Sequence, residues 1–240
     1  MYAIETNELT KKFKEKVAVD EINLQINQGE LFALLGTNGA GKTTTIKMLS
    51  GLILPTSGEI TINKMDMKKD VFKIKEILNV SPQETAIAPN LTVKENLEFM
   101  AGVYQIKDKE KKINELIKDF KLDEIINKRA KTLSGGWQRK VSIAISLIND
   151  PKILFLDEPT LGLDVIARKE LWKVINSLKG KITIILTTHY MEEAESLSDR
   201  IGIMSNGKLV DVGTAKELIK KTKTKNFEDA FVSIATGGNL

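Results

Sequence analysis

The eight residues Gly36-Thr37-Asn38-Gly39-Ala40-Gly41-Lys42-Thr43 constrain this chain more than any other stretch, because they match G-x-x-x-x-G-K-[ST] at every specified position. They follow the apolar run "LFALLG", which reads as a strand buried on both faces, and lead into a helical pattern that ends at Gly51. Strand, glycine turn and helix in that order make a phosphate loop, whose backbone N–H groups can wrap a triphosphate. Lys42 would reach the β and γ phosphates, and the Thr43 hydroxyl would ligate Mg²⁺. Gly36, Asn38, Gly39, Ala40, Gly41 and Thr44 complete the candidate nucleotide contacts. A chance glycine-rich turn is the competing reading, and the flanking elements disfavour it.

Such a loop belongs to a parallel sheet, and the rest of the chain supplies one. "KILFLDEP" and "KITIILTTH" read as buried strands separated by the helix "ARKELWKVINSL", the alternation expected of crossover connections. Ahead of them, "YAIE", "EINLQI" and "GEITIN" read as strands. From Val71 to Ile148 the pattern turns helical, with a capping box at Thr92 and Glu95. Asn206-Gly207 suits a type I′ hairpin turn between "RIGIMS" and "KLVDVG". The expected fold class is α/β: a phosphate-loop NTPase core with a mainly parallel sheet, an N-terminal antiparallel β subdomain and an inserted helical subdomain. The expected division is one domain over 1–240, with core at 1–82, helical subdomain at 83–148, core at 149–215 and a C-terminal helical tail at 216–240. In that tail Phe227, Phe231 and Ile234 share one helical face, which predicts packing on the core.

Composition narrows the function classes. A net charge of +4 comes from lysines interleaved with acids, as in "KDKEKK", so a solvated surface is expected and nucleic acid is not. The absence of cysteine removes disulfides and thiolate metal sites. "MYAIETNEL" does not read as a signal peptide, and no apolar run approaches the roughly 18 residues of a membrane span. Work at a membrane would therefore need a separate anchor.

The run "ILFLDEP" ends a buried strand with two acids. Asp157 stands where phosphate-loop enzymes hold the metal, and Glu158 is placed to polarise an attacking water. Two solvated acids at a strand end is the bland alternative. A second anion-binding helix start lies in "TLSGGWQRKVSIAISL", Thr132 to Leu147, and one chain with two cradles needs an explanation.

Taken together, these motifs resemble the ATP-binding subunits of ABC transporters. "LSGGWQR", Leu133 to Arg139, is similar to the family signature; Gln83 in "VSPQE" matches its glutamine loop, "LGLD" ending at Asp164 its D-loop, and His189 its switch histidine. The resemblance implies a head-to-tail sandwich in which Ser134, Gly135 and Gly136 of one subunit bind the γ-phosphate of ATP held by the other. It assigns nucleotide contact to Asp164, Mg²⁺ sensing to Gln83, and to His189 the orientation of the water that Glu158 activates. Catalysis would rest on Glu158, His189 and Lys42, and the metal on Thr43, Gln83 and Asp157. Phe13 would stack on adenine, with a core position as the alternative. Trp137 reads as packing or interface surface.

"MLSGLILPTSGEI", "TLGLDVIARKELW" and "THYMEEAE" resemble the branch paired with ABC-2-type permeases, mostly exporters. That implies an integral permease partner, a second ATPase subunit, and a peripheral place on the inner face of the cell membrane. An importer ATPase and a soluble non-transport relative remain as alternatives.

Overall fold

The computed structural model of the protein describes residues 1–237. Strands β1 (Tyr2–Phe13) and β2 (Lys16–Asn27) form a long antiparallel pair. Their alternation buries Ile22, Leu24 and Ile26 on one face and leaves the intervening residues toward solvent. Strand β3 (Leu31–Gly36) is buried along its whole length, and the phosphate loop delivers the chain from it to α1 (Lys42–Leu49). Strands β4 (Ser57–Ile62) and β5 (Met65–Asp66) complete an antiparallel sheet of order β2-β1-β4-β5.

After α2 (Val71–Ile77) comes a correction to the sequence reading. Leu78–Ser81, taken as part of a helical stretch, is strand β6, the edge of the second sheet. Its four residues continue the apolar spacing of α2 and are too short to announce a strand. Parallel pairing with Ile153–Leu156 decides the conformation. The helical lobe follows: α3 (Val93–Val103), α4 (Lys109–Phe120) and α5 (Gly135–Ser146). The capping box forms as expected, the Thr92 hydroxyl accepting from Glu95 N–H while Thr92 N–H donates to the Glu95 carboxylate.

The chain re-enters the sheet at β7 (Ile153–Asp157), crosses by α6 (Val165–Leu178) to β8 (Thr183–Thr188), and by α7 (Met191–Leu197) to β9 (Arg200–Ser205). Strand β10 (Lys208–Gly213) closes a hairpin on β9, with φ of 50° at Asn206 and 81° at Gly207, the positive pair a type I′ turn requires. Helices α8 (Ala215–Thr222) and α9 (Phe227–Ala235) follow. The sheet order is β10-β9-β3-β8-β7-β6, parallel throughout except at β10.

Three apolar clusters hold these layers. Phe32, Leu34, Ile46 and Phe155 pack against Ile22, Leu24 and Ile26, joining the two sheets around α1. On the other face, Leu154 and Leu186 of the sheet share one cluster with Val141 and Ile145 of α5 and with Leu97 and Leu116 of the lobe. Phe227 and Ile234, with Phe231 partly buried beside them, cover Leu35 and Ile203, so the tail packs on the core as its helical face implied. Arg200 of β9 also ties the sheets: it donates to the Gln25 carbonyl of β2 at 2.7 Å and pairs bidentately with Glu30 of the β2–β3 link, Nε to Oε1 at 2.7 Å and a second nitrogen to Oε2 at 3.0 Å.

Phe155 lies in the middle of β7 with no exposed surface. Phe155→Ala is therefore expected to lower the unfolding free energy by about 3–5 kcal/mol, seen as a lower denaturant midpoint in equilibrium unfolding; an unchanged midpoint would contradict this packing.

Candidate functional site

Four parallel neighbours end at one edge of the second sheet, and each delivers a candidate group there. Strand β3 leads into the phosphate loop, β7 ends at Asp157 and Glu158, β8 ends at Thr188 before His189, and β6 ends at Ser81 before Gln83. The resulting cleft, about 560 Å³, is lined by residues of the phosphate loop together with Phe13, Gln83, Glu158 and His189. Its size falls within the range of small-molecule sites.

The loop geometry depends on glycine at two positions. Gly41 has φ of 102° and caps α1, and a Cβ there would stand 2.5 Å from the Ala18 carbonyl oxygen. A Cβ at Gly36 would meet the Met204 carbonyl oxygen at 2.5 Å. Helix α1 has no side-chain cap and no acid in its first turn, so its N-terminal N–H groups and dipole suit an anion. The β9–β10 turn braces the loop, with Gly207 N–H donating to the Ala40 carbonyl at 3.1 Å.

Lys42 is buried and its ammonium meets three acceptors. It donates to the carbonyls of Gly36 (2.8 Å) and Thr37 (3.2 Å) and lies 3.3 Å from Glu158 Oε1. The other carboxylate oxygen, Glu158 Oε2, is 2.8 Å from His189 Nδ1. With a carboxylate as its partner, Nδ1 carries the proton in the neutral ring, which leaves Nε2 as an acceptor for a second group. Glu158 itself has φ of 49°, a left-handed conformation that costs a glutamate of order 1–3 kcal/mol. Its N–H donates to Thr187, to the carbonyl at 3.1 Å and to the hydroxyl at 3.0 Å.

Asp157 lies beneath, its Oδ1 accepting from the Thr43 hydroxyl at 3.0 Å and from the Thr187 hydroxyl at 2.5 Å. One carboxylate and one hydroxyl converging as hard oxygen donors fit Mg²⁺, which is commonly held by one or two carboxylates, waters and substrate phosphates. Among the described residues no three His, Asp or Glu side chains gather as a metal cage.

The sequence-derived residues do not all meet. Ser134 and Gly136 line a separate small concavity with Trp137, Lys140 and Ala167, and neither they nor Gly135 line the cleft. Ser134 is the N-cap of α5 yet makes no capping hydrogen bond. Asp164 caps α6, its carboxylate accepting from Ile166 and Ala167 N–H at 2.9 Å each. Phe13 is half exposed at the cleft rather than in the core.

Two residues that sequence reasoning passed over hold the site together. Thr187 orders both acids, and its only signal was a threonine pair, Thr187-Thr188, closing the apolar run 184–186 of β8. Arg139, the last residue of "LSGGWQR", is buried, and its guanidinium donates to the carbonyls of Pro82 (2.6 Å) and Gln83. Burial holds its pKa below the usual arginine value, opposed by the Asp157 carboxylate. The signature helix thereby grips the segment that presents Gln83.

With this geometry in place, comparison with known proteins is informative. The family model "ABC transporter" matches residues 19–161. A probable multidrug ABC transporter ATP-binding protein of Escherichia coli strain K12 is 42% identical over 94% of this chain, which spans 39% of that relative's length. A solved ATP-binding subunit of an ABC transporter superposes with a TM-score of 0.86 at 27% identity, covering 97% of this chain and 99% of that one. The ATP-binding cassette MJ0796, solved as a dimer in a post-hydrolysis state bound to ADP and Pi, gives a TM-score of 0.78 at 27% identity, covering 88% and 98%.

Bonds from a charged donor are worth about 1.5–3 kcal/mol each. Arg139→Met is accordingly expected to speed amide hydrogen exchange across residues 81–85, read by mass spectrometry. Unchanged exchange would mean that Arg139 does not anchor that segment.

Proposed function

The chain belongs to the ABC transporter family as an ATP-binding, ATP-hydrolysing domain, and we propose that it powers export across a membrane through a separate permease, as one half of an ATP-sandwich dimer. The observation that carries this reading is the Glu158 carboxylate, which gathers Lys42 and His189 at one point of the cleft. A buried carboxylate beside a positioned imidazole and a phosphate-loop lysine suits water attack on a terminal phosphate.

In this reading Glu158 takes a proton from the attacking water, and His189 holds that water in line. Lys42 and the loop N–H groups stabilise charge on the transferring phosphoryl group. Thr43, Asp157 and Gln83 would hold Mg²⁺, which supplies charge neutralisation at the phosphates. Phe13 is placed to stack on the base, and Gly36, Asn38, Gly39, Ala40, Gly41 and Thr44 belong to the cradle.

Ser134, Gly135, Gly136 and Asp164 serve the partner's nucleotide. Two features support this: an N-cap serine with no internal duty, and the distance of these residues from their own cleft. The dimeric form of the related cassette supports it further. No helix among the described residues is long and apolar enough to cross a membrane. The permease that the family resemblance implies would hold the domain at the inner face. The export direction rests on phrase-level likeness to the branch paired with ABC-2-type permeases and on the multidrug name of the bacterial relative.

Glu158→Gln is expected to bind ATP, cease turnover and accumulate as a dimer in size-exclusion chromatography with MgATP. A variant saturated with ATP yet still monomeric would contradict the sandwich. His189→Ala should lower kcat by a factor on the order of 10², and near-normal turnover would remove His189 from the mechanism.

A further inference from the structure

We propose that Glu193 is a positioning residue of the ATPase site, its buried carboxyl joining the loop after Glu158, the strand end before His189 and helix α6 into one unit. The proposal rests on the ATPase reading above and adds a residue that touches neither nucleotide nor water. Glu193 sits on α7 with no exposed surface. Its Oε1 accepts from Trp172 Nε1 of α6 at 2.9 Å. The hydroxyls of Thr160 and Thr188 lie beside the same carboxyl. Thr160 follows Glu158 by two residues, and Thr188 directly precedes His189.

The polar balance of this cluster is unusual for a core. Glu193 Oε2 and Thr160 Oγ1 are both buried without an aligned hydrogen-bond partner. Buried polar groups left unmet destabilise the fold. An aliphatic residue would fill the same space without that cost, so the carboxyl is there for what it connects. A second contact runs parallel to it. The Arg168 guanidinium of α6 lies 4.7 Å from the Tyr190 ring, and that ring is 4.1 Å from the ring of His189. Helix α6 begins at the Asp164 cap, where the loop from Glu158 ends. Both ends of the reacting pair, Glu158 and His189, are therefore tied to α6, and a shift of that helix moves them together.

Burial pushes the Glu193 carboxyl upward, and the nearby Glu158 carboxylate adds to the shift, while the Trp172 N–H and the adjacent Thr188 and Thr160 hydroxyls oppose it. A carboxyl shifted this way favours its neutral form more than an exposed glutamate does, and in that form it accepts from Trp172 while its O–H can turn toward Thr160. Glutamine reproduces that pattern and leucine does not.

The test compares Glu193→Gln, Glu193→Leu and Thr160→Val in the full chain with MgATP. Glu193→Gln should keep kcat within about twofold, while Glu193→Leu should lower kcat about tenfold or more with KM for ATP within about twofold, since the phosphate loop is untouched. Thr160→Val should lower kcat too and add little to Glu193→Leu in the double variant. Infrared difference spectra of wild type against Glu193→Gln should show the carbonyl stretch of a protonated carboxylic acid, a readout independent of turnover. Three results would overturn the proposal: normal kcat in Glu193→Leu, equal damage from Gln and Leu, or a loss confined to ATP affinity and melting temperature. A wild-type chain that binds ATP without hydrolysing it would instead defeat the ATPase reading, and the infrared band would still decide the state of Glu193.

Discussion

Register in the parallel sheet fixes where every candidate group of the cleft can stand. Leu35 pairs with Thr188, and Asp157 pairs with Thr187, so the phosphate loop, the acid pair and the histidine leave the sheet at the same level. A slip of one residue in β7 would turn Asp157 to the opposite face and carry Glu158 away from Lys42. That register is held by strands buried on both faces, where any other alignment would leave apolar side chains and backbone polar groups unmatched. In open α/β sheets the crevice at the carboxyl ends of the strands is where ligands bind, and this cleft follows that rule.

The site departs from what folding alone would select. A glutamate in left-handed conformation, a buried lysine, a buried aspartate and a carboxyl on α7 without a full set of partners all sit within or beside one cleft. Each is unfavourable taken singly. They persist because they share partners: Lys42 lies against Glu158, Glu158 against His189, and Asp157 against Thr43 and Thr187. Support comes from far along the chain as well, through the β9–β10 turn under Ala40 and the three apolar clusters around the sheets.

The phosphate loop's cleft and the signature helix are mechanically connected although the signature residues do not line that cleft. Arg139 is the fifth residue of the signature helix α5 and holds the backbone at Pro82 and Gln83, the second of which lines the cleft. A displacement at either place reaches the other through a buried guanidinium whose donors already have acceptors. The arrangement suits a domain whose two cradles would serve different nucleotides of one dimer.

Much of this was legible in the residues. The eight-residue phosphate loop, the strand-end acids, the paired turn residues Asn206 and Gly207 and the apolar face of α9 carry their structural meaning locally, through φ requirements, caps and periodicity. Leu78–Ser81 did not, because four residues in a helical spacing become a strand only when β7 offers them hydrogen bonds. The roles of Thr187, Arg139 and Glu193 were not legible for a related reason: the bonds that define them run to Asp157, Pro82 and Trp172, which are 21 or more residues away. The sequence by itself determined the phosphate-binding chemistry and the α/β alternation, since both rest on short-range sterics and spacing. Only the tertiary structure decided that Glu158 bridges Lys42 and His189 and that the signature lies apart from that cleft, because long-range strand register and side-chain packing set those distances.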